Sequence, residues 1–181
     1  MYSGLTSLDG YVADSKGNFA FAMPDPEVHA FINDLERDSR HHLYGRRMYE
    51  VMSAWETMGG PDEDPVEQDY ARTWRAADKT VYSSSLASAS TSNTTLEREF
   101  RPADISTLKA ETDGRIGIGG ATIAGAALAA GLVDELWQMI FPVSVGGGLP
   151  FLPQGVTLDL TLLAEQRFAS GVVYLRYALH R

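Results

Sequence analysis

Residues 115–145 read RIGIGGATIAGAALAAGLVDELWQMIFPVSV, and the fold turns on this stretch. Arg115 to Gly119 has the build of a short strand, Ala121 to Ala130 of a small-residue helix pressed close to a sheet, and Glu135 to Val145 of a second strand. Strand, helix and strand in this order make a compact βαβ unit, which needs a parallel sheet. At the first junction Gly117, Gly119, Gly120 and Gly125 let the backbone take positive φ and come close to a ligand. The helix that follows presents unpaired amides, so a phosphate cradle is the functional expectation. It is not the dinucleotide fingerprint, because the third required glycine falls on Thr122 and no acidic residue stands at the expected distance. Glycines at a strand end are also packing devices, and both readings stand at this point.

Upstream, Tyr2 to Leu8 reads as a strand that Asp9-Gly10 ends. Asp25-Pro26 with Glu27 carries a helix start, and Val28, Phe31, Ile32 and Leu35 continue one helical face toward Arg40. His42 to Gly45 is expected as a strand and Arg46 opens a helix with Met48, Val51, Met52 and Trp55 as its apolar positions. Gly59 to Pro65 reads as an acidic loop, Val66 to Ala77 as a helix, Lys79 to Ser84 as a strand and Asp104 to Thr112 as a short helix. Downstream, Leu158 to Phe168 and Val172 to Leu179 are β-rich runs joined by Ala169-Ser170-Gly171, the pattern of a hairpin. No repeat is present, and Ser83 to Thr95 is rich in Ser and Thr. The sum is one α/β domain over residues 1–181, a mostly parallel sheet finished by an antiparallel hairpin.

Composition limits the chemistry. With no cysteine there is neither a disulfide framework nor a thiolate, which fits a cytoplasmic setting. His29, His41, His42 and His180 lack metal-ligand spacing, so no metal is expected. Net charge of −9, from 24 acidic and 15 basic residues, opposes a broad nucleic-acid or anionic-membrane surface. An anionic ligand therefore needs a local basic site. Arg46-Arg47, directly after a strand, offers two guanidinium forks for a phosphate. Ser83-Ser84-Ser85 ends a strand with three hydroxyls that suit a phosphate or a turn, without the surroundings of a nucleophilic serine. Asp9, Asp14, Asp25 and Glu27 are acids that turns or caps also explain. Apolar side chains on both faces of the last strand, Val172, Val173, Tyr174, Leu175 and Tyr177, point to cover by a second copy, hence a homodimer.

The ordered blocks Ser7 to Ala13, Leu43 to Tyr49, Lys79 to Ser83, Ile118 to Ala121, Leu132 to Leu136 and Pro142 to Gly148 resemble the dihydrofolate-reductase-like family over nearly the whole chain. The nearest resemblance is to the reductase domain of riboflavin biosynthesis. It implies a three-layer α/β/α fold and an NADPH-dependent reductase similar to the 5-amino-6-(5-phosphoribosylamino)uracil reductase. A pterin reductase and a non-catalytic dinucleotide-binding protein are the alternatives. The resemblance implies that Arg46, with Arg47 beside it after Gly45, meets the 2′-phosphate, and that Ser83, Ser84 and Ser85 line the adenosine side. It further implies that Gly119, Gly120, Ala121 and Thr122 cradle the pyrophosphate, with a cis Gly119–Gly120 bond. Leu5, Thr6, Gly146 and Gly147 then line the substrate cleft, and Asp9 and Glu27 are the candidate proton donors. Riboflavin-pathway reductases carry a lysine where this chain has Ser3.

Overall fold

A computed structural model describes residues 1–180. The chain forms two compact units, residues 1–25 with 121–181 and residues 26–120.

In the unit of residues 26–120, α1 (Pro26–Glu36), β3 (Ser39–Gly45), α2 (Arg46–Met52), α3 (Pro65–Ala76), β4 (Asp78–Tyr82), β5 (Thr94–Glu97), α4 (Pro102–Glu111) and β6 (Arg115–Gly119) follow in sequence. Their strands run in the order β5-β4-β3-β6, every neighbour parallel. The α1 helix stops at Glu36, four residues short of the expectation, because Ser39 and His41 already pair with β6. Asp64 caps α3 by accepting from the Val66 amide at 2.9 Å, with Pro65 in the first turn where its missing N–H costs nothing. Tyr44, Tyr49, Met52, Trp74 and Val81 make the core against β3 and β4. The Trp74 indole donates to the Tyr44 hydroxyl at 3.1 Å, so this core carries its polar atoms in pairs. Lys79, 1% exposed, donates to the carbonyls of Trp74 and Ala77 and lies over the Trp74 ring at 4.4 Å.

The other unit holds β1 (Tyr2–Ser7), β2 (Tyr11–Asp14), α5 (Ala121–Ala129), β7 (Glu135–Phe141), β8 (Gly148–Pro150), β9 (Leu160–Arg167) and β10 (Val173–Leu179). Its strand order is β1-β7-β10-β9, with β1 and β7 parallel and the β9–β10 hairpin antiparallel. Pro142 ends β7 at Phe141, before the expected Val145. Small residues let α5 bury Ala121, Ile123, Ala124, Ala127 and Leu128. Strand β10 lies between β7 and β9; Val172 and Tyr174 are buried, and Val173, Leu175 and Tyr177 are half-buried.

Short β2, β5 and β8 were absent from the sequence expectation. β2 pairs with β8 as a small antiparallel sheet, and Gly148 is required there: a Cβ would stand 2.0 Å from the Ala13 carbonyl oxygen. The mostly parallel α/β architecture with its terminal hairpin agrees with the sequence reading. Among the described residues no helix is long and apolar enough to cross a membrane.

Candidate functional site

In the unit of residues 26–120, β3 delivers the chain through Gly45, extended at φ −75° and ψ 160°, into α2, which places Arg46 and Arg47 at a strand end. The Arg46 Nε donates to Glu50 at 2.7 Å and its Nη1 to the Ser85 hydroxyl at 2.9 Å. Both partners hold the fork in place and leave its Nη2 without a partner among the described residues. Arg47 is exposed and pairs with nothing among the described residues. Ser83 is buried, and its hydroxyl accepts from the amides of Leu86 at 3.0 Å and Ser85 at 3.3 Å. It therefore shapes the turn that aims Ser85 at Arg46, while Ser84 is exposed. Arg98 fastens the same turn from below by donating to the Ser83 and Leu86 carbonyls. Arg46 and Ser85 thus form a basic, hydroxyl-edged pair of the kind that binds a phosphate by charge-assisted hydrogen bonds, with Arg47 next to it in sequence.

The glycine segment divides by role. A Cβ on Gly117 would stand 3.0 Å from His42 Nδ1, and one on Gly119 would stand 2.8 and 2.9 Å from the Tyr44 ring, so these two make room for β3 side chains. Gly120 has φ 100°, a conformation that L side chains rarely adopt. It is the residue whose backbone freedom matters, because it turns the chain out of β6 toward the first residues of α5, Ala121 and Thr122. The Gly119–Gly120 bond is trans, against the expectation of a cis bond, since Gly120 reverses direction through its φ instead.

In the unit of residues 1–25 and 121–181, Asp9 follows β1 and reaches the loop after β7. Its carboxylate accepts from the Ser144 hydroxyl at 3.0 Å and from the amides of Val145 at 3.1 Å and Gly146 at 2.7 Å. The Ser7 hydroxyl, then these donors, hold its carboxyl well below the usual carboxylate range. These contacts make Asp9 the anchor of the loop after β7. Gly146 and Gly147, at φ 75° and 147°, form the loop that Asp9 anchors. Thr6 is fully buried and its hydroxyl accepts from Gln138 at 2.7 Å, so it is sealed inside the unit; Leu5 lies beside it opposite Met139. Glu27 is exposed in the first turn of α1, in the other unit.

A cavity of about 280 Å³ lies within this same unit, lined by Phe21, Met23, Asp25, Phe141, Pro142, Val143, Ser170 and Val172. Sequence reading named Asp25 only as a helix cap or candidate acid and missed the rest. A signal was present in Phe19-Ala20-Phe21-Ala22-Met23, an apolar run with no strand or helix period, whose Met23 is 69% exposed. Among the described residues no cluster of side chains is arranged to hold a metal ion.

The chain resembles known proteins over nearly its whole length. The chain is 26% identical over 176 residues to the uncharacterized protein YyaP of Bacillus subtilis (strain 168), covering 94% of this chain and 89% of that one. A crystal structure of a candidate riboflavin biosynthesis protein from Shewanella sp. PV-4 superposes with a TM-score of 0.77 at 20% identity, covering 99% of this chain and 98% of that one. Dihydrofolate reductase from Enterococcus faecalis, solved in complex with NADP(H), superposes at 0.62 with 14% identity, covering 100% and 97%. These two likenesses establish a dihydrofolate-reductase-like α/β fold. The profile of the RibD C-terminal domain matches residues 1–174, and the chain belongs to that family.

Proposed function

We propose that the chain is an NADPH-dependent reductase of a pyrimidine-type heterocycle, similar in reaction to the reductase of riboflavin biosynthesis. The observation that carries the cofactor is Arg46, held on the Ser85 hydroxyl at 2.9 Å with exposed Arg47 beside it in sequence, which fits the 2′-phosphate that distinguishes NADPH from NADH. NADPH, when bound, supplies the hydride. The chain's own residues bind and orient: Arg46 and Arg47 hold the 2′-phosphate, and the backbone at Gly120 comes close to the pyrophosphate. In this reading the substrate ring packs against the apolar walls of the cavity of the first unit. Membership in the RibD C-terminal domain family and the fold shared with an NADP(H)-binding reductase support this reading.

The test is a titration of NADPH and NADH against wild type, Arg46→Ala and Arg47→Ala. Hydrogen bonds to charged groups are worth roughly 1.5–3 kcal/mol, so Arg46→Ala should weaken NADPH by about one to two orders of magnitude. Arg47→Ala should follow with a smaller loss, and NADH affinity should hardly move. Equal loss for both cofactors, or none, removes these arginines from the cofactor site. Turnover of NADPH with a pyrimidine but not with dihydrofolate separates this reading from a pterin reductase, and NADPH binding without any turnover identifies a binding protein.

A further inference from the structure

We propose that Arg98 is a positioning residue for cofactor choice: by holding the turn of residues 83–87 it keeps the Ser85 hydroxyl on Arg46, and so aims the Arg46 fork at a 2′-phosphate. This rests on the NADPH reading of Arg46 and goes beyond it, because Arg98 acts through the turn and not on the ligand. Ser85 is exposed and β4 ends at Tyr82, so neither burial nor the strand ladder fixes its hydroxyl. The turn fixes it, and the turn is tied through both its amides and its carbonyls. The buried Ser83 hydroxyl accepts from the amides of Ser85 at 3.3 Å and Leu86 at 3.0 Å. The Ser83 amide donates to the Glu97 carbonyl at 2.9 Å, which brings the next residue, Arg98, alongside. Arg98 Nη1 donates to the carbonyls of Ser83 at 3.2 Å and Leu86 at 2.6 Å, and its Nη2 reaches that of Ala87 at 3.5 Å. A planar fork meets several carbonyls at fixed angles, which the point charge of a lysine does not reproduce.

On the other side of the turn, Ser85 accepts from Arg46 Nη1 at 2.9 Å while Glu50 takes Arg46 Nε at 2.7 Å. Two partners therefore aim the fork, and the position of one of them is set by Arg98. Without Arg98 the Ser83 and Leu86 carbonyls turn to water, the turn relaxes, and Glu50 is left to aim the fork. An ion pair as exposed as Arg46 with Glu50 holds a side chain weakly. A fork that has to be ordered on binding costs affinity for the group it recognises. NADH has no group there, so the loss falls on NADPH. Tyr49 ties the far end of the same segment by accepting from the amides of Ser90 at 2.8 Å and Thr91 at 3.2 Å, which keeps the effect local to the turn.

The test titrates NADPH and NADH by fluorescence against wild type, Arg98→Ala and Arg98→Lys, each with and without Arg46→Ala. Amide hydrogen exchange is followed at Ser85 and Leu86 in the absence of cofactor. Arg98→Ala should weaken NADPH about tenfold, the effect of one charge-assisted hydrogen bond, and leave NADH unchanged. Arg98→Lys keeps the charge without the fork, so it should recover no more than about twofold. In the Arg46→Ala background neither substitution should add a further loss, since both act through the same fork. The Ser85 and Leu86 amides should exchange faster in both variants while the strands keep their protection, which also reports that the variants are folded. Greater recovery by Arg98→Lys would make the effect one of charge alone and overturn the proposal. Equal losses for both cofactors, losses that add to that of Arg46→Ala, or unchanged exchange at Ser85 and Leu86 also overturn it. A wild type with no preference for NADPH sinks the NADPH reading and this inference together, whereas a preference that survives Arg98→Ala sinks this inference alone.

Discussion

Arg46 shows what a single residue's neighbours add to its reading. That two arginines follow a strand is visible in the chain; that Glu50 at 2.7 Å and Ser85 at 2.9 Å hold one of them is not, because Ser85 comes from another strand end. Glu50 both steadies the fork and places a negative charge beside any phosphate that the fork binds. The pair is exposed, with Arg46 and Glu50 at 50% and 47%, so its steadying effect is worth only about 0.3–0.5 kcal/mol. Repulsion between Glu50 and a phosphate charge about 7 Å away is roughly 0.6 kcal/mol per unit charge in water-like dielectric, slightly more. Glu50→Gln keeps a hydrogen-bonding group and removes the charge, so NADPH should bind about two- to threefold tighter while NADH is unchanged, read by fluorescence titration. Weaker NADPH binding would mean that orientation outweighs repulsion. Asp9 teaches the opposite lesson: residue type suggested an acid, and its role as a loop anchor depends on Ser144, Val145 and Gly146, more than 130 positions away.

At the scale of elements, the long periodic segments were legible and the short ones were not. α3, the succession β6, α5 and β7, and the β9–β10 hairpin follow from capping, small-residue and turn signals contained within each segment. β2, β5 and β8 have three or four residues each, and β2 pairs with β8 across a long stretch of chain, so no local pattern announces them. Gly119 is a case where element packing decides between two readings left open by the sequence. Its missing Cβ makes room for the Tyr44 ring, whose hydroxyl is committed to Trp74. Gly119→Ala should therefore cost about 1–3 kcal/mol in urea unfolding, the usual range for overpacking a core. An unchanged midpoint would return Gly119 to a purely ligand-facing role. For self-association the exposed element is the edge strand β9, where Leu162 and Leu163 are 46% and 48% exposed. Light scattering at micromolar concentration should give a dimer mass that Leu163→Glu reduces to that of a monomer; a monomeric wild type removes the proposal.

For the molecule as a whole, an acidic chain with buried ionisable groups in the unit of residues 26–120 should have a stability that depends on pH in two opposing ways. His42 is 6% exposed; burial first, then the Lys79 charge, lower its pKa from 6.5 to about 4. A depressed folded-state value means that the unfolded chain takes up the proton first, so the His42 contribution is full above about pH 6.5 and is lost as pH falls toward 4. Integrated over that window it amounts to roughly 3 kcal/mol. Glu36 is also buried, and burial raises its pKa, with the Ser39 hydroxyl, donating at 2.7 Å, pulling the other way. Its sign is reversed: the folded chain keeps the proton longer, so stability from Glu36 is present at low pH and is lost as pH rises above the ordinary carboxylate value. Between about pH 4.5 and 6.5 the two slopes partly cancel, and wild type should lose less stability on acidification than His42 alone dictates. His42→Gln removes one slope and leaves the other. Urea midpoints measured by tryptophan fluorescence at pH 7 and pH 5 should therefore fall with acid in wild type and rise in the variant, whatever the variant's absolute stability. Parallel pH dependence in the two proteins would show that His42 titrates normally, and the buried face of β3 would then have to admit water.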